Sequence, residues 1–365
     1  MNILIFLIVL LVLVLVHEFG HFFTAKKFGI RVDEFGFGFP PRLFGFRKGE
    51  TQYSFNLLPL GGFVKIFGEN PEAEQARYGA SPNEDRKFYN KPKYQQAIVL
   101  LAGISANFLL AWLLFSVGFM SGFPTSVGSE VEGYALADVN LTVIEVRPKS
   151  PAENAGLKFG DKIISLINNN EKIQDVNPDI LKSFIISNKD KEIEIGYKRG
   201  NEEKSVKLIP TIVSGEPMIG ISMDQIGIAK LPFLMALTEG MRLSLNLAKN
   251  TILGLYALIK GALAGNGSLT SITGPVGLVS IVGHAYQFGF VYLLSFTALI
   301  SVNLAIINLL PFPALDGGRL FFLLIEKIKG SRLNPKFANV ANTIGFGILI
   351  LLMLVVTYHD IVKLI

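Results

Sequence analysis

The sequence predicts a multi-pass α-helical membrane protein of about four transmembrane helices, with a β-rich segment after the first and an α/β domain inserted after the second. Three observations carry this. Half of the 365 residues are hydrophobic and only 17% are charged, with a mean hydropathy of +0.45, a balance that suits a bilayer better than water. Four apolar stretches each reach the ~20 residues that a helix needs to cross hydrocarbon. Between the second and third of these, short runs alternate apolar and polar residues at the period of a strand.

The first span covers residues 2–23, within a segment 1–24. No Lys or Arg precedes its apolar run and no small-residue site follows, so it reads as an uncleaved span with its N-terminus outside. Residues 25–96 follow. Within them, 35–69 alternate around Gly and Pro turns and read as several short strands. The second span is 97–120, and no Asp, Glu, Lys or Arg falls between Lys93 and Glu130. The insert, 125–228, contains LTVIEV (141–146), DKIISLI (161–167), EIEIGYK (192–198), KSVKLIP (204–210) and IGISM (219–223), with a turn at Arg199–Gly200–Asn201. DILKSFIISNK (179–189) reads as a helix.

Residues 231–264 are amphipathic at helical period, suited to a membrane surface, a bundle flank or the underside of the insert. The third span, 289–310, lies in segment 265–330 and within a stretch, 261–315, free of formal charge. The fourth covers 337–358, in segment 337–359. Orientation follows the excess of Lys and Arg on cytoplasmic flanks. Residues 23–42 hold four, 77–96 hold five and 120–139 hold none. The 25–96 segment is therefore expected in the cytoplasm, and the insert and both termini outside.

The chain has no cysteine, which excludes disulfides, thiolate metal sites and a cysteine nucleophile. A net charge of +5 without a basic cluster gives no sign of nucleic-acid binding. The four histidines are His17, His21, His284 and His359. The first two lie in LVLVLVHEFGHFFTAKK (11–27), where each ionisable group in hydrocarbon costs about 2.5–3.5 kcal/mol.

His17, Glu18 and His21 form HExxH. Four residues of helix turn about 400°, so both imidazoles share a face and can grip one ion. Glu18 lies beside the first, where it can take a proton from the attacking water. Catalytic zinc sites commonly use three protein ligands and keep one position open. His284 and His359 fall at the outer ends of their spans, away from His21. The remaining candidate on the inner side is Asp316, in NLLPFPALDGGR (308–319). Pro311 and Pro313 force the chain out of helix before it, and Gly317–Gly318 allow a sharp turn after it. The same aspartate could instead cap the following helix. Asn303 and Asn308 are the other polar groups nearby; either could bond between helices, and Asn308 could steady an oxyanion.

VRPKSPAENAGLKFGDKIISLINN (146–169) resembles the loop–helix–strand run of a PDZ domain. HEFGH, the PDZ-like insert, GPVG (274–277) and NLLPFPALDGG together resemble the site-2 protease family, most closely the bacterial sigma-E-regulating type. The resemblance covers nearly the whole chain. It implies His17, His21 and Asp316 as zinc ligands, Glu18 as the catalytic glutamate, and Asn308 and Asn303 as substrate contacts. It also implies a membrane-associated sheet from residues 35–69, whose edge could pair with an extended substrate. The insert has room for one PDZ domain where some relatives carry two.

The function expected is intramembrane zinc-dependent peptide hydrolysis. The substrates expected are single-pass membrane proteins, such as anti-sigma factors, or remnant signal peptides. The place expected is the cell membrane, with the site towards the cytoplasm. A non-enzymatic PDZ scaffold and a metal-ion transporter are the competing readings.

Overall fold

The computed structural model describes residues 2–69, 84–129, 134–168, 171–200, 202–213, 215–265 and 274–364. Asn201 of the expected turn lies outside them, as does the side chain of His284. The chain divides into two compact units. The first is Met1–Phe115, Gly240–Ala285 and Leu294–Ile365; the second is Ser116–Glu239 with Tyr286–Leu293.

Among the described residues, four helices are long and apolar enough to cross a membrane: α1 (Asn2–Lys27), α2 (Lys93–Ser121), α7 (Phe290–Leu309) and α9 (Pro335–Leu364). Helices α1, α2 and α9 extend further than their apolar runs, while α7 stops one residue short of its run at each end. Between them lie α5 (Phe233–Leu263), α6 (Pro275–Gln287) and α8 (Asp316–Lys329). Helix α6 is absent from the sequence reading. Pro275 at its first position suits a helix start, and the buried Asp360 of α9 completes it by accepting from the N–H groups of Gly274 (3.2 Å) and Gly277 (2.8 Å).

Residues 32–66 form two long, bent strands, β1 (Val32–Lys48) and β2 (Thr51–Ile66), rather than separate short ones. Their bends nevertheless yield four pairing segments. Phe46 pairs with Tyr53, Phe37 with Phe55, and Phe37 again with Gly62, so 34–37 lies between 52–55 and 62–65. Phe44, Phe55 and Phe37 stack across the pairs at 4.5 Å between ring centres, the cross-strand aromatic contact that fixes register.

The second unit is built on a sheet of order β3 (Phe123–Ser126), β11 (Ile221–Ala229), β4 (Ala137–Val146), β5 (Lys162–Asn168), β7 (Ile193–Arg199) and β8 (Glu202–Leu208), with β6 (Glu171–Ile173) added to β5. A separate ribbon pairs β9 (Thr211–Val213) with β10 (Glu216–Met218). Alternation sends Ile193, Ile195 and Tyr197 into a core with Leu141, Val143, Ile163 and Leu166. Two short helices close that core. Helix α3 (Pro151–Asn154) starts on Ser150, whose Oγ accepts from Glu153 N, while the Glu153 carboxylate accepts from Lys149 N, close to a capping box. Helix α4 (Pro178–Ser187) starts on Asn177 and buries Leu181 and Ile185. Asp161, fully buried, accepts from Arg199 Nε and Nη2, both at 2.7 Å.

Candidate metal centre

The centre begins at a helix crossing made close by glycine. A Cβ on Gly20 of α1 would lie 2.3 Å from the carbonyl oxygen of Ala102 on α2. A Cβ on Gly103 would lie 2.3 Å from His21 Nε2 and 2.9 Å from His17 Cε1. Only residues without a side chain allow α2 to pass directly behind the two imidazoles.

His17 and His21 project from the same face of α1 and are buried. His21 Nδ1 lies 2.8 Å from the carbonyl oxygen of Val99 and donates to it. A neutral imidazole has one N–H, so this bond leaves the lone pair on Nε2. The two Nε2 atoms are 3.2 Å apart. Asp316 Oδ2 lies 3.0 Å from His17 Nε2 and 3.2 Å from His21 Nε2. Among the described residues these three side chains form the one group of histidine and acidic ligands positioned to hold an ion.

Asp316 does not cap its helix. Leu315 occupies the cap position with no side-chain bond, and Asp316 is the first residue of α8. The glycines that follow are helical and serve close approach instead of a sharp turn. A Cβ on Gly317 would lie 2.2 Å from Leu310 O, and one on Gly318 would lie 2.2 Å from Phe312 O. Two residues before Asp316, Ala314 holds a left-handed conformation at φ 76°, uncommon for a residue with a Cβ. Its N–H donates to Asn342 Oδ1 of α9 at 3.1 Å.

Glu18 turns towards the sheet, where its Oε2 accepts from Val64 N at 3.0 Å. The space around these groups is a cleft of about 380 Å³, lined among others by Glu18, Phe63, Val64, Glu69, Asn308, Asp316 and Arg319. Asn308 thus stands at the cleft. Asn303 is not among its lining residues; its Oδ1 accepts from Thr251 of α5 at 2.7 Å, a bond between helices. Arg319 and Glu69 form an ion pair at the cleft. His359 stands apart from this group, on α9.

Sequence reading did not find Val99, Gly103, Val64 or Asn342. The GG pair of LDGG was a signal for close packing. Nothing local marks Val64 or Asn342 as partners of residues 46 and 28 positions away.

The donor set suits a metal. Asp316 Oδ2 is buried and has no hydrogen-bond partner, although two imidazole nitrogens stand within 3.2 Å of it. Two imidazoles and one carboxylate that turn their ligand atoms to one point match a catalytic zinc set.

Residues 5–352 match the model of peptidase family M50. A candidate zinc metalloprotease of Clostridium acetobutylicum is 34% identical over 99% of this chain and 97% of its own length. The regulator of sigma-W protease RasP of Bacillus subtilis is 30% identical over 98% of each chain. Among solved structures, the PDZ domain of an SdrC-like protein from Listeria monocytogenes is 23% identical, covers 26% of this chain and 93% of its own, and has a TM-score of 0.20. With HExxH and the LDG aspartate brought together in an apolar bundle, the chain belongs to peptidase family M50, the site-2 protease family of membrane-embedded zinc metalloendopeptidases.

Proposed function

We propose that the protein cleaves peptide bonds within or near transmembrane segments of single-pass membrane proteins or signal-peptide remnants, with His17, His21 and Asp316 as zinc ligands and Glu18 as general base. The convergence of the two Nε2 atoms and Asp316 Oδ2 within 3.2 Å of one another carries the reading. When bound, the ion supplies Lewis acidity towards the scissile carbonyl and the attacking water.

A transmembrane helix keeps its peptide bonds in internal hydrogen bonds, so the substrate must unwind before attack. The segment 62–65 lies on one side of 34–37, and Val64 turns its N–H to Glu18 and away from that neighbour. This outward edge suits an unwound strand, which would pair along it as it lies across the cleft. Glu18 accepts the proton of the attacking water as its oxygen bonds to the carbonyl carbon, then delivers it to the amine as the C–N bond breaks. The Val64 N–H holds the base in place between the two transfers. Asn308 lines the cleft, which supports a role for its amide N–H as donor to the developing oxyanion. Asn303 keeps its amide N–H groups for substrate while its oxygen accepts from Thr251.

The flanking charges support a site nearer the cytoplasm and a PDZ-like insert outside. Cleavage would release a cytoplasmic fragment, and the insert would exclude bulky ectodomains or bind a new C-terminus. The test is Glu18→Gln with a tagged single-pass reporter. The variant should keep its metal and lose cleavage by at least about 100-fold; undiminished cleavage removes Glu18 from the reaction.

A further inference from the structure

Of the two imidazoles that face Asp316, only one has its outer nitrogen satisfied. His21 Nδ1 donates to Val99 O at 2.8 Å. His17 Nδ1 is buried and has no hydrogen-bond partner. Both Nε2 atoms turn to Asp316, and once they hold an ion each neutral ring must carry its proton on Nδ1. In that state His17 Nδ1 becomes a buried donor in need of an acceptor.

A matching defect lies on α2. Asn107 is fully buried, and neither its Oδ1 nor its Nδ2 has a partner. A leucine of similar size would avoid leaving a carboxamide unpaired in apolar surroundings. Its own carbonyl oxygen is fixed, accepting from Ser301 Oγ of α7 at 2.8 Å.

The two defects lie within about one helical turn of each other along the α1–α2 crossing. His21 meets Val99 and Gly103, and His17, four residues back on α1, also reaches Gly103, four residues on from Val99. The helices thus run antiparallel at this crossing. Asn107 is the next step of four on the same face of α2, about 6 Å along the axis from Gly103, and Gly103 places no side chain between them. Among the described residues, buried side-chain atoms without a hydrogen-bond partner also occur on Ser54, Gln95, Asp316 and His359; none is on α2 between Gly103 and Asn107.

We propose that Asn107 is the positioning residue of His17. Its Oδ1 accepts the Nδ1 proton of that ring in the metal-loaded enzyme, as Val99 O does for His21. The bond fixes the tautomer and the ring plane in which Nε2 presents its lone pair, the part that outer hydrogen bonds play for metal-bound histidines. The amide reaches this position by rotating about its side-chain bonds while Ser301 holds the backbone. The inference rests on His17 being a metal ligand, as proposed above.

The test is zinc affinity by competition with a chromogenic chelator, on full-length protein in detergent. The proteins compared are wild type, Asn107→Leu, Asn107→Asp and His17→Ala. Asn107→Leu should lower affinity about 10- to 100-fold. Asn107→Asp, which keeps an acceptor, should restore most of it. The metal-free Leu variant should unfold at or above the wild-type temperature, since an unpaired buried amide has been removed. Should leucine prevent folding, Asn107→Ala serves the same comparison. Wild-type affinity in the Leu or Ala variant, with His17→Ala impaired, overturns the role of Asn107 and leaves His17 a ligand. Loss of metal-free stability without rescue by Asp makes Asn107 a packing residue and overturns it equally. Wild-type affinity in His17→Ala overturns the ligand reading itself.

Discussion

At the residue scale, the chemistry was readable where it depended on spacing along one helix and hidden where it depended on distant partners. HExxH places two imidazoles on one face whatever surrounds them, and a charge-free stretch of 55 residues ending at Asp316 drew attention to that carboxylate. The bonds that hold these groups come from elsewhere: Val99 O for His21, Val64 N for Glu18, Asn342 for the strained Ala314. Sequence set Asn308 apart from Asn303 only by its nearness to Asp316; in the structure Asn303 bonds to Thr251 and Asn308 lines the cleft. Five residues of helix place two side chains about 140° apart, which is why they part company. The glycine behind the imidazoles gives a sharp prediction. Gly103→Ala adds a methyl group 2.3 Å from His21 Nε2, and zinc affinity should fall by about 10-fold or more. Equilibrium dialysis of wild type and variant checks this; equal affinity would mean that α2 shifts freely away from the site.

At the scale of elements, period and length located the four spans and the strands of the insert, because both follow from local geometry. The bends of β1 and β2 did not follow, since four-way pairing is set by contacts between segments and not within them. Two pairs of charges fix these elements. Asp161 is buried against Arg199 at the join of β5 and β7. Asp161→Asn would leave that guanidinium without its anion, at a cost of about 2 kcal/mol. Amide exchange in Lys162–Asn168 and Ile193–Arg199 should quicken about 30-fold; unchanged exchange would contradict the pairing.

Glu50, in the turn joining β1 and β2, is held by Arg86 and Lys26. The bond from Arg86 leads in lowering its carboxyl to about 2. A depressed carboxyl contributes stability above its unfolded range and loses it as pH falls through the folded value. The partly exposed pair is worth about 1 kcal/mol. Wild type should lose about that much more stability than Glu50→Gln between about pH 6 and about pH 2, by chemical denaturation; parallel losses would remove the pair from the balance.

At the scale of the whole molecule, the proposed metal site of residues 17, 21 and 316 goes with a topology read from flanking charge. The absence of cysteine makes that topology easy to test. With single cysteines at Ser205 and Lys329, an impermeant maleimide should label the first in intact cells and the second only after permeabilisation. The reverse pattern would place the site on the other side of the membrane. The central claim is that residues 17, 21 and 316 hold one ion inside an apolar bundle, and the most direct measurement is anomalous scattering at the zinc edge from crystals of the wild-type protein. The account predicts a single strong peak at the point faced by His17 Nε2, His21 Nε2 and the Asp316 carboxylate, lost in Asp316→Ala. Zinc bound at full occupancy elsewhere, with that point empty, would contradict it.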